Sequence, residues 1–292
     1  MKNSNKQQWT LLEVLNHAVS FLKSKNIENP RLNAEHLLAH TLGKSRMDLY
    51  LDFNEPLSKP EREKYKKFLH RRAEHEPLQY IMEETEFMSL PFYVNPDVLI
   101  PRPETEVLVE SVIEWSNKTE ETGILDVGCG SGAIAVSLAK YIENVRITAV
   151  DIRENILNIA RQNAENNGVS KKIQFVCSDI KKEDFIEQTG KSFDIVVANP
   201  PYISKDEWET LAEEVQYHEP RHSLCDEADG LVFYQLISKK ALSLLPSGGA
   251  LFFEVGYKQS SEVQEILQQQ GYKDIHSIKD LNQIERVVTG VK

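Results

Sequence analysis

Apolar side chains recur at helical spacing through the first 85 residues, then give way to short, nearly unbroken apolar runs separated by amphipathic stretches. Leu11, Val14, Leu15, Ala18 and Leu22 fall on one face of a helix, and Leu37, Leu38 and Leu42 continue the pattern in a second segment. Ser58-Lys59-Pro60-Glu61 has capping-box spacing with an early proline, and Tyr65, Phe68, Leu69 and Ala73 follow on one face. Residues 1–85 are thus predicted to form a small helical domain. In residues 86–100, Phe87, Leu90, Phe92, Tyr93, Val94, Val98, Leu99 and Ile100 are broken by Pro91 and Asn95-Pro96-Asp97, which predicts a β-hairpin linker. From Pro101 onward, residues 101–292 alternate strands and helices. Strands are predicted at Ile124–Val127, Arg146–Val150, Ile173–Cys177, Phe193–Ala198 and Ala250–Val255, with a closing pair near Ile275–Ile278 and Arg286–Val291. Helical patterns between the earlier strands imply a mostly parallel, doubly wound α/β sheet, and the closing pair, with no helix between, adds an antiparallel strand.

Composition narrows the class. No apolar run approaches the ~18 residues of a membrane span, and Met1-Lys2-Asn3-Ser4-Asn5-Lys6 has no apolar stretch behind its charges, so a soluble intracellular protein without membrane association is expected. Cys129, Cys177 and Cys225 are odd in number and lack CxxC spacing, which argues for a reducing compartment, the cytoplasm, and against a zinc site. His36 and His40 are four residues apart on a helical segment, but no third ligand is evident and surface or packing roles are expected. The net charge of −11 is uneven: residues 1–85 hold 14 of the 34 Lys and Arg and 12 of the 45 Asp and Glu, leaving 20 against 33 in the rest. That larger part repels a phosphate backbone, so no direct nucleic-acid substrate is expected. Arg62, Lys64, Lys66, Lys67, Arg71 and Arg72 form a local basic cluster that is either a solvated helix face or a contact for nucleic acid or an acidic surface.

The chemistry gathers at predicted strand ends. Asn199-Pro200-Pro201-Tyr202 closes the apolar run 193–198, and both Asn199 and Pro200 precede a proline, which stiffens the loop into extended backbone. The loop offers a side-chain amide oxygen, fixed carbonyls and an aromatic face, which suit a flat nitrogen-bearing group. Upstream, Ile124-Leu125-Asp126-Val127 leads into Gly128-Cys129-Gly130-Ser131-Gly132, a strand and glycine-rich turn that also satisfies a dinucleotide pattern through Gly128, Gly130 and Ala133. Asp151 ends the next strand, where a carboxylate can accept ribose hydroxyls. Asp126, two residues before the first glycine, is expected beside a cationic ligand and would repel a pyrophosphate. Asp179 is a candidate acceptor for an adenine amino group. A cationic, adenosine-bearing ligand beside a nitrogen clamp describes S-adenosylmethionine, and no metal is expected.

The Asp126-to-Gly132 segment, Asp151 and Asn199-Pro200-Pro201-Tyr202 resemble the class I S-adenosylmethionine-dependent methyltransferases that modify planar nitrogens. Gln79-Tyr80-Ile81, Leu99-Ile100-Pro101-Arg102-Pro103-Glu104-Thr105-Glu106, Glu219-Pro220-Arg221, Asp229-Gly230-Leu231 and Glu254-Val255-Gly256-Tyr257 resemble, in combination, the PrmC/HemK family of release-factor glutamine methyltransferases. The chain departs from the family pattern at Glu83 and Gln283, where glycine is usual, and at Glu285-Arg286, where an Asp-Arg pair is usual. The resemblance implies a Rossmann-like catalytic domain with a helical substrate-recognition domain, and methylation of the glutamine in the Gly-Gly-Gln motif of peptide chain release factors. It implies Asn199, Pro200 and Tyr202 as catalytic, with Pro201 beside them at the substrate. Asp126, Gly128, Cys129, Gly130, Ser131, Gly132, Asp151, Asp179 and Asn199 are implied as the cofactor site. A monomer is expected. Because a base amine fits the same clamp, a ribosomal-protein glutamine or nucleic-acid adenine or guanine methyltransferase stays open at this point, as does a non-catalytic cofactor-binding scaffold.

Overall fold

The computed structural model describes residues 9–116, 122–190 and 192–292; the reading of Met1 to Lys6 lies outside them. The chain divides into two compact units, Met1–Glu83 and Glu84–Lys292.

The first unit holds α1 (Leu11–Ser24), α2 (Pro30–Leu42), α3 (Arg46–Leu51), α4 (Lys59–Ala73) and α5 (Leu78–Met82). The expected capping box is present, with Ser58 N–H donating to Glu61 Oε2 at 2.8 Å, and Thr10 with Glu13 builds the same device at the start of α1. Leu11, Leu15, Leu22, Leu37, Leu38, Tyr65 and Leu69 make one core. The basic cluster is only partly a solvated face. Arg72 is 7% exposed and donates to Asn33 Oδ1 and the Glu76 carbonyl, while Arg71 forms a two-pronged pair with Glu76. Arginine's planar fork suits both roles, so these two residues hold α4 to its neighbours. His40 packs its ring against Phe68. Among the described residues no cluster of three or more metal-binding side chains occurs.

The second unit opens with β1 (Glu84–Phe87) and β2 (Leu90–Tyr93), an antiparallel pair that starts earlier and is shorter than the predicted 86–100 hairpin because Asn95-Pro96-Asp97 turns away from any strand. Then come α6 (Glu106–Ser116), β3 (Thr122–Val127), α7 (Ala133–Tyr141), β4 (Val145–Asp151), α8 (Glu154–Asn166), β5 (Ile173–Cys177), α9 (Phe185–Thr189) and β6 (Ile195–Ala198). After β6 follow α10 (Lys205–Trp208), α11 (Glu213–His218), α12 (Val232–Leu244), β7 (Ala250–Glu254), α13 (Ser260–Gln270), β8 (Lys273–Lys279) and β9 (Glu285–Val291). The strands form one sheet in the order β5-β4-β3-β6-β7-β9-β8, parallel from β5 to β7 and antiparallel at β9 and β8. The four residues of β6 are all buried, as expected of a central strand covered on both faces. Chain order reverses between β3 and β6, the position at which open α/β sheets bind ligands beyond the carboxyl ends of their strands. Among the described residues no helix is long and apolar enough to cross a membrane.

The two departures at glycine positions have a backbone consequence. Glu83 and Gln283 have φ of 57° and 63°, the left-handed region that glycine enters without its Cβ meeting the carbonyl. The turns are kept with non-glycine residues in them. Glu83→Gly and Gln283→Gly are each expected to raise unfolding stability by about 1 kcal/mol, measured by urea titration.

Candidate active site

The carboxyl ends of β4, β3 and β6 stand side by side and face one cleft with about 750 Å³ of empty space, counting its open side. Its polar wall is Gly128, Gly130, Asp151, Ser178, Asn199 and His222, and its apolar wall includes Ile180, Phe185, Phe233 and Ile237. A polar end and an apolar slot suit a nucleoside with a charged tail.

The glycine turn follows from backbone chemistry. Gly128 and Cys129 both donate to the Val150 carbonyl at 2.9 Å, which folds the chain over the end of β4, and Gly128, Gly130 and Gly132 have φ of 78°, 53° and 81°. A Cβ on Gly132 would meet Ala160 Cβ at 3.1 Å, so α7 starts against α8 only with glycine there. Asp151 ties the turn down: Oδ2 accepts Gly130 N–H at 3.0 Å and Oδ1 accepts Ile152 N–H at 2.8 Å. Burial raises the Asp151 carboxyl and these backbone donors oppose the shift. Two bonds leave a carboxylate with acceptor capacity to spare. Asn163 supports the loop from behind, donating to the Ser131 and Tyr93 carbonyls at 2.9 Å each.

At β6, Asn199 Nδ2 donates to Thr105 Oγ1 at 3.3 Å, and Asn199, Pro200 and Pro201 all line the cleft. The loop beyond is zipped to a later segment, with Ile203 N–H donating to the Leu224 carbonyl at 2.9 Å and Asp226 N–H to the Ile203 carbonyl at 3.2 Å. Arg102 pairs with buried Glu219, joining two segments that carry Leu99, His222 and Ser223 to the cleft. Gln259 braces the same loop, donating Nε2 to the Tyr202 carbonyl at 3.0 Å and accepting Gly256 N–H at 3.1 Å.

The expected cofactor residues separate into two groups. Gly128, Gly130, Asp151 and Asn199 come together at the cleft wall; Asp126, Cys129, Ser131, Gly132 and Asp179 are not part of it. Asp126, expected beside a cationic ligand, is fully buried in β3 and neither oxygen completes a hydrogen bond. Cys129 and Ser131 are buried, and Asp179 Oδ1 accepts Lys181 N–H at 2.9 Å within its own loop, although its neighbours Ser178 and Ile180 reach the cleft. Tyr202, expected to stack on a substrate amide, lies against Gly256, where an added Cβ would stand 2.9 Å from its Cδ2. Phe233, Ile237 and His222 escaped the sequence reading, and Leu99 was read as part of the linker and of a family match but not as a cleft residue. His222 in particular sits beside the Glu219-Pro220-Arg221 match, which was its only local signal.

Burial pushes Asp126 up to about 7, reinforced by Asp151, while the nearby Ala135 N–H offsets it only in part. Glu254, at the end of β7, is pushed up to about 7 by the same cause. An acid whose pKa is higher folded than unfolded holds its proton more tightly in the folded state. Its favourable contribution is complete below the unfolded pKa and is lost as pH climbs through the folded one. Cofactor-free protein is therefore expected to lose stability from about pH 4 to about pH 7, by an amount on the order of a few kcal/mol. Urea titrations across that window check the slope, and Asp126→Asn should flatten it.

Comparison with known proteins gives the family. A family model described as PrmC N-terminal domain matches residues 13–82, and one described as methyltransferase domain matches residues 124–218. The release factor glutamine methyltransferase of Chlorobaculum tepidum is 40% identical, with 95% of this chain and 96% of that protein aligned. The enzyme of that name from Geobacter sulfurreducens is 38% identical over 97% of this chain and 96% of its own length. A methyltransferase crystal structure from Pyrococcus furiosus shares the fold, with a TM-score of 0.50 at 19% identity over 70% of this chain and 90% of that one. A parallel sheet with a glycine turn and an Asn-Pro-Pro-Tyr loop at its switch point, carried with a matching helical N-terminal domain along nearly the whole length of these relatives, places this chain in the release factor glutamine methyltransferase family.

Proposed function

We propose that this chain transfers a methyl group to the side-chain amide nitrogen of the glutamine in the Gly-Gly-Gln motif of peptide chain release factors. The observation that supports this most is Asn199, held with its Nδ2 on Thr105 at the edge of a cleft shaped for a nucleoside. S-adenosylmethionine would supply the methyl group, its sulfonium S–CH₃ bond breaking as the N–C bond forms and leaving a neutral thioether, and the methylated amide, now acidic, would lose one N–H proton to solvent. Gly128, Gly130 and Asp151 would hold it at the polar end, and Ile180, Phe185, Phe233 and Ile237 would enclose its base.

An amide nitrogen is a poor nucleophile because its lone pair is delocalised into the carbonyl. Its proton is too weakly acidic for Asp, Glu or His to remove beforehand. The protein's contribution is orientation. Asn199 Oδ1 and the Pro200 carbonyl each accept one N–H of the glutamine amide, which favours a pyramidal nitrogen with its lone pair toward the methyl group. Pro201 keeps the loop stiff, and the Gln259 brace holds the Tyr202 carbonyl behind it.

In the same reading the helical unit selects the substrate, since the chemistry itself needs no such appendage, and the protein works as a cytoplasmic monomer. Arg62, Lys64, Lys66 and Lys67 remain as its basic contacts once Arg71 and Arg72 are assigned to internal pairing. A fragment beginning at residue 84 is expected to bind S-adenosylmethionine with near-normal affinity yet to lose methylation of a folded release factor; full activity of the fragment would refute the assignment. The substrate class is tested by incubating the protein and labelled S-adenosylmethionine with cell extract. Label should follow a protein and survive ribonuclease and deoxyribonuclease. Label erased by either nuclease would favour a base as the acceptor.

A further inference from the structure

Asn199 is useful as an acceptor only if its oxygen, and not its nitrogen, faces the cleft. The two ends of an amide are nearly the same size, so packing alone does not choose between them. Something must read the difference by hydrogen bonding.

Glu254 stands where that choice is made. Ala198 of β6 pairs with Phe253 of β7, so Asn199 and Glu254 follow one step beyond on adjacent strands. The Glu254 side chain is buried, and its Oε2 has no hydrogen-bond partner. Thr105 and Asn199 stand close enough to this carboxyl to hold its pKa down against burial, Thr105 the more strongly. Thr105 Oγ1 meanwhile accepts Asn199 Nδ2 at 3.3 Å. A carboxylate accepts only. A Thr105 O–H turned toward that spare acceptor leaves the Thr105 lone pairs for an N–H donor, which Asn199 can satisfy only with its NH₂ end.

We propose that Glu254 and Thr105 are positioning residues that set the orientation of the Asn199 amide, turning Nδ2 inward and presenting Oδ1 to the substrate. This rests on the reading of Asn199 as the anchor of the acceptor amide. The device depends on charge. A protonated Glu254 can donate to Oδ1 or to Thr105, and either bond removes the preference. Burial brings this carboxyl up to about 7, opposed by Thr105, Asn199 and Arg286 and helped by Glu104. The other ionisable groups around it are Tyr202 and Tyr234, while Arg286 is itself held by Asp280 at 2.9 Å.

The test is the pH profile of methyl transfer to a purified release factor, with S-adenosylmethionine affinity measured in parallel by calorimetry. The native protein should lose kcat/KM as pH falls below about 7. Glu254→Gln, which has both a donor and an acceptor end, should lower turnover about tenfold to a hundredfold, lose that acid limb and keep its cofactor affinity. Thr105→Val should do the same to turnover, and Thr105→Ser, which restores the hydroxyl, should recover most of the loss. Glu254→Gln with native turnover and an unchanged acid limb overturns the proposal, as does Thr105→Val with native turnover, whatever Glu254→Gln does. An inactive Asn199→Ala beside a fully active Thr105→Val would remove this device and leave the clamp standing, whereas a fully active Asn199→Ala would remove both.

Discussion

Replacing Asn199 by alanine is expected to lower kcat for methyl transfer by about 10²–10³-fold while the Kd for S-adenosylmethionine changes by less than about threefold. The magnitude is that of losing one preorganised hydrogen-bonding group aimed at the reacting centre. The split between kcat and Kd follows from geometry. Asn199 lines the cleft at the end of β6, whereas the glycine turn and Asp151 lie across β3 at the ends of β3 and β4. Losing the amide oxygen therefore leaves the opposite wall intact. Isothermal calorimetry and single-turnover kinetics on one preparation separate the two quantities. An alanine variant with native turnover would remove the clamp from the mechanism.

Replacing Asp151 by alanine is expected to produce the reverse pattern. Its carboxylate accepts Gly130 and Ile152 backbone N–H groups and still has lone pairs for ribose hydroxyls. Hydrogen bonds to a charged acceptor contribute about 1.5–3 kcal/mol each, so one lost ribose contact weakens S-adenosylmethionine binding about tenfold to a hundredfold. Release of Gly130 adds to this because the turn loses one of its tethers to β4. Asp151→Asn keeps the size but exchanges an acceptor for a donor, and should fall between alanine and native. A calorimetric Kd unchanged in Asp151→Ala would contradict the assignment of this end of the cleft.

What the sequence made legible was what neighbouring residues determine together. The strand runs 124–127 and 193–198, the second observed as 195–198, carry their own backbone logic, and the glycine turn and the Asn-Pro-Pro-Tyr loop lie at their ends as predicted. Contacts between distant segments were not legible. Thr105 meets Asn199 across 94 positions, and Glu254 reaches them only because β7 pairs with β6. The burial of Asp126 was missed for a related reason. Two residues before a glycine turn describes a place in the chain, but β3 is covered on both faces, so its carboxyl is inside the sheet sandwich. Arg72 makes the same point in the helical unit. It reads as one charge in a basic run, yet Asn33, 39 positions away, draws it into the interior. Thr10 and Glu13 show the opposite case, a capping box of the same pattern as Ser58 and Glu61 that the sequence reading passed over.

The most direct test is transfer of labelled methyl from S-adenosylmethionine to a purified release factor, native or with the glutamine of its Gly-Gly-Gln replaced by alanine. The native factor should take up label on that glutamine's side-chain nitrogen, located by mass spectrometry of the tryptic peptide, and the alanine factor should take up none. Equal labelling of the two factors, or label on any other residue, would contradict the account.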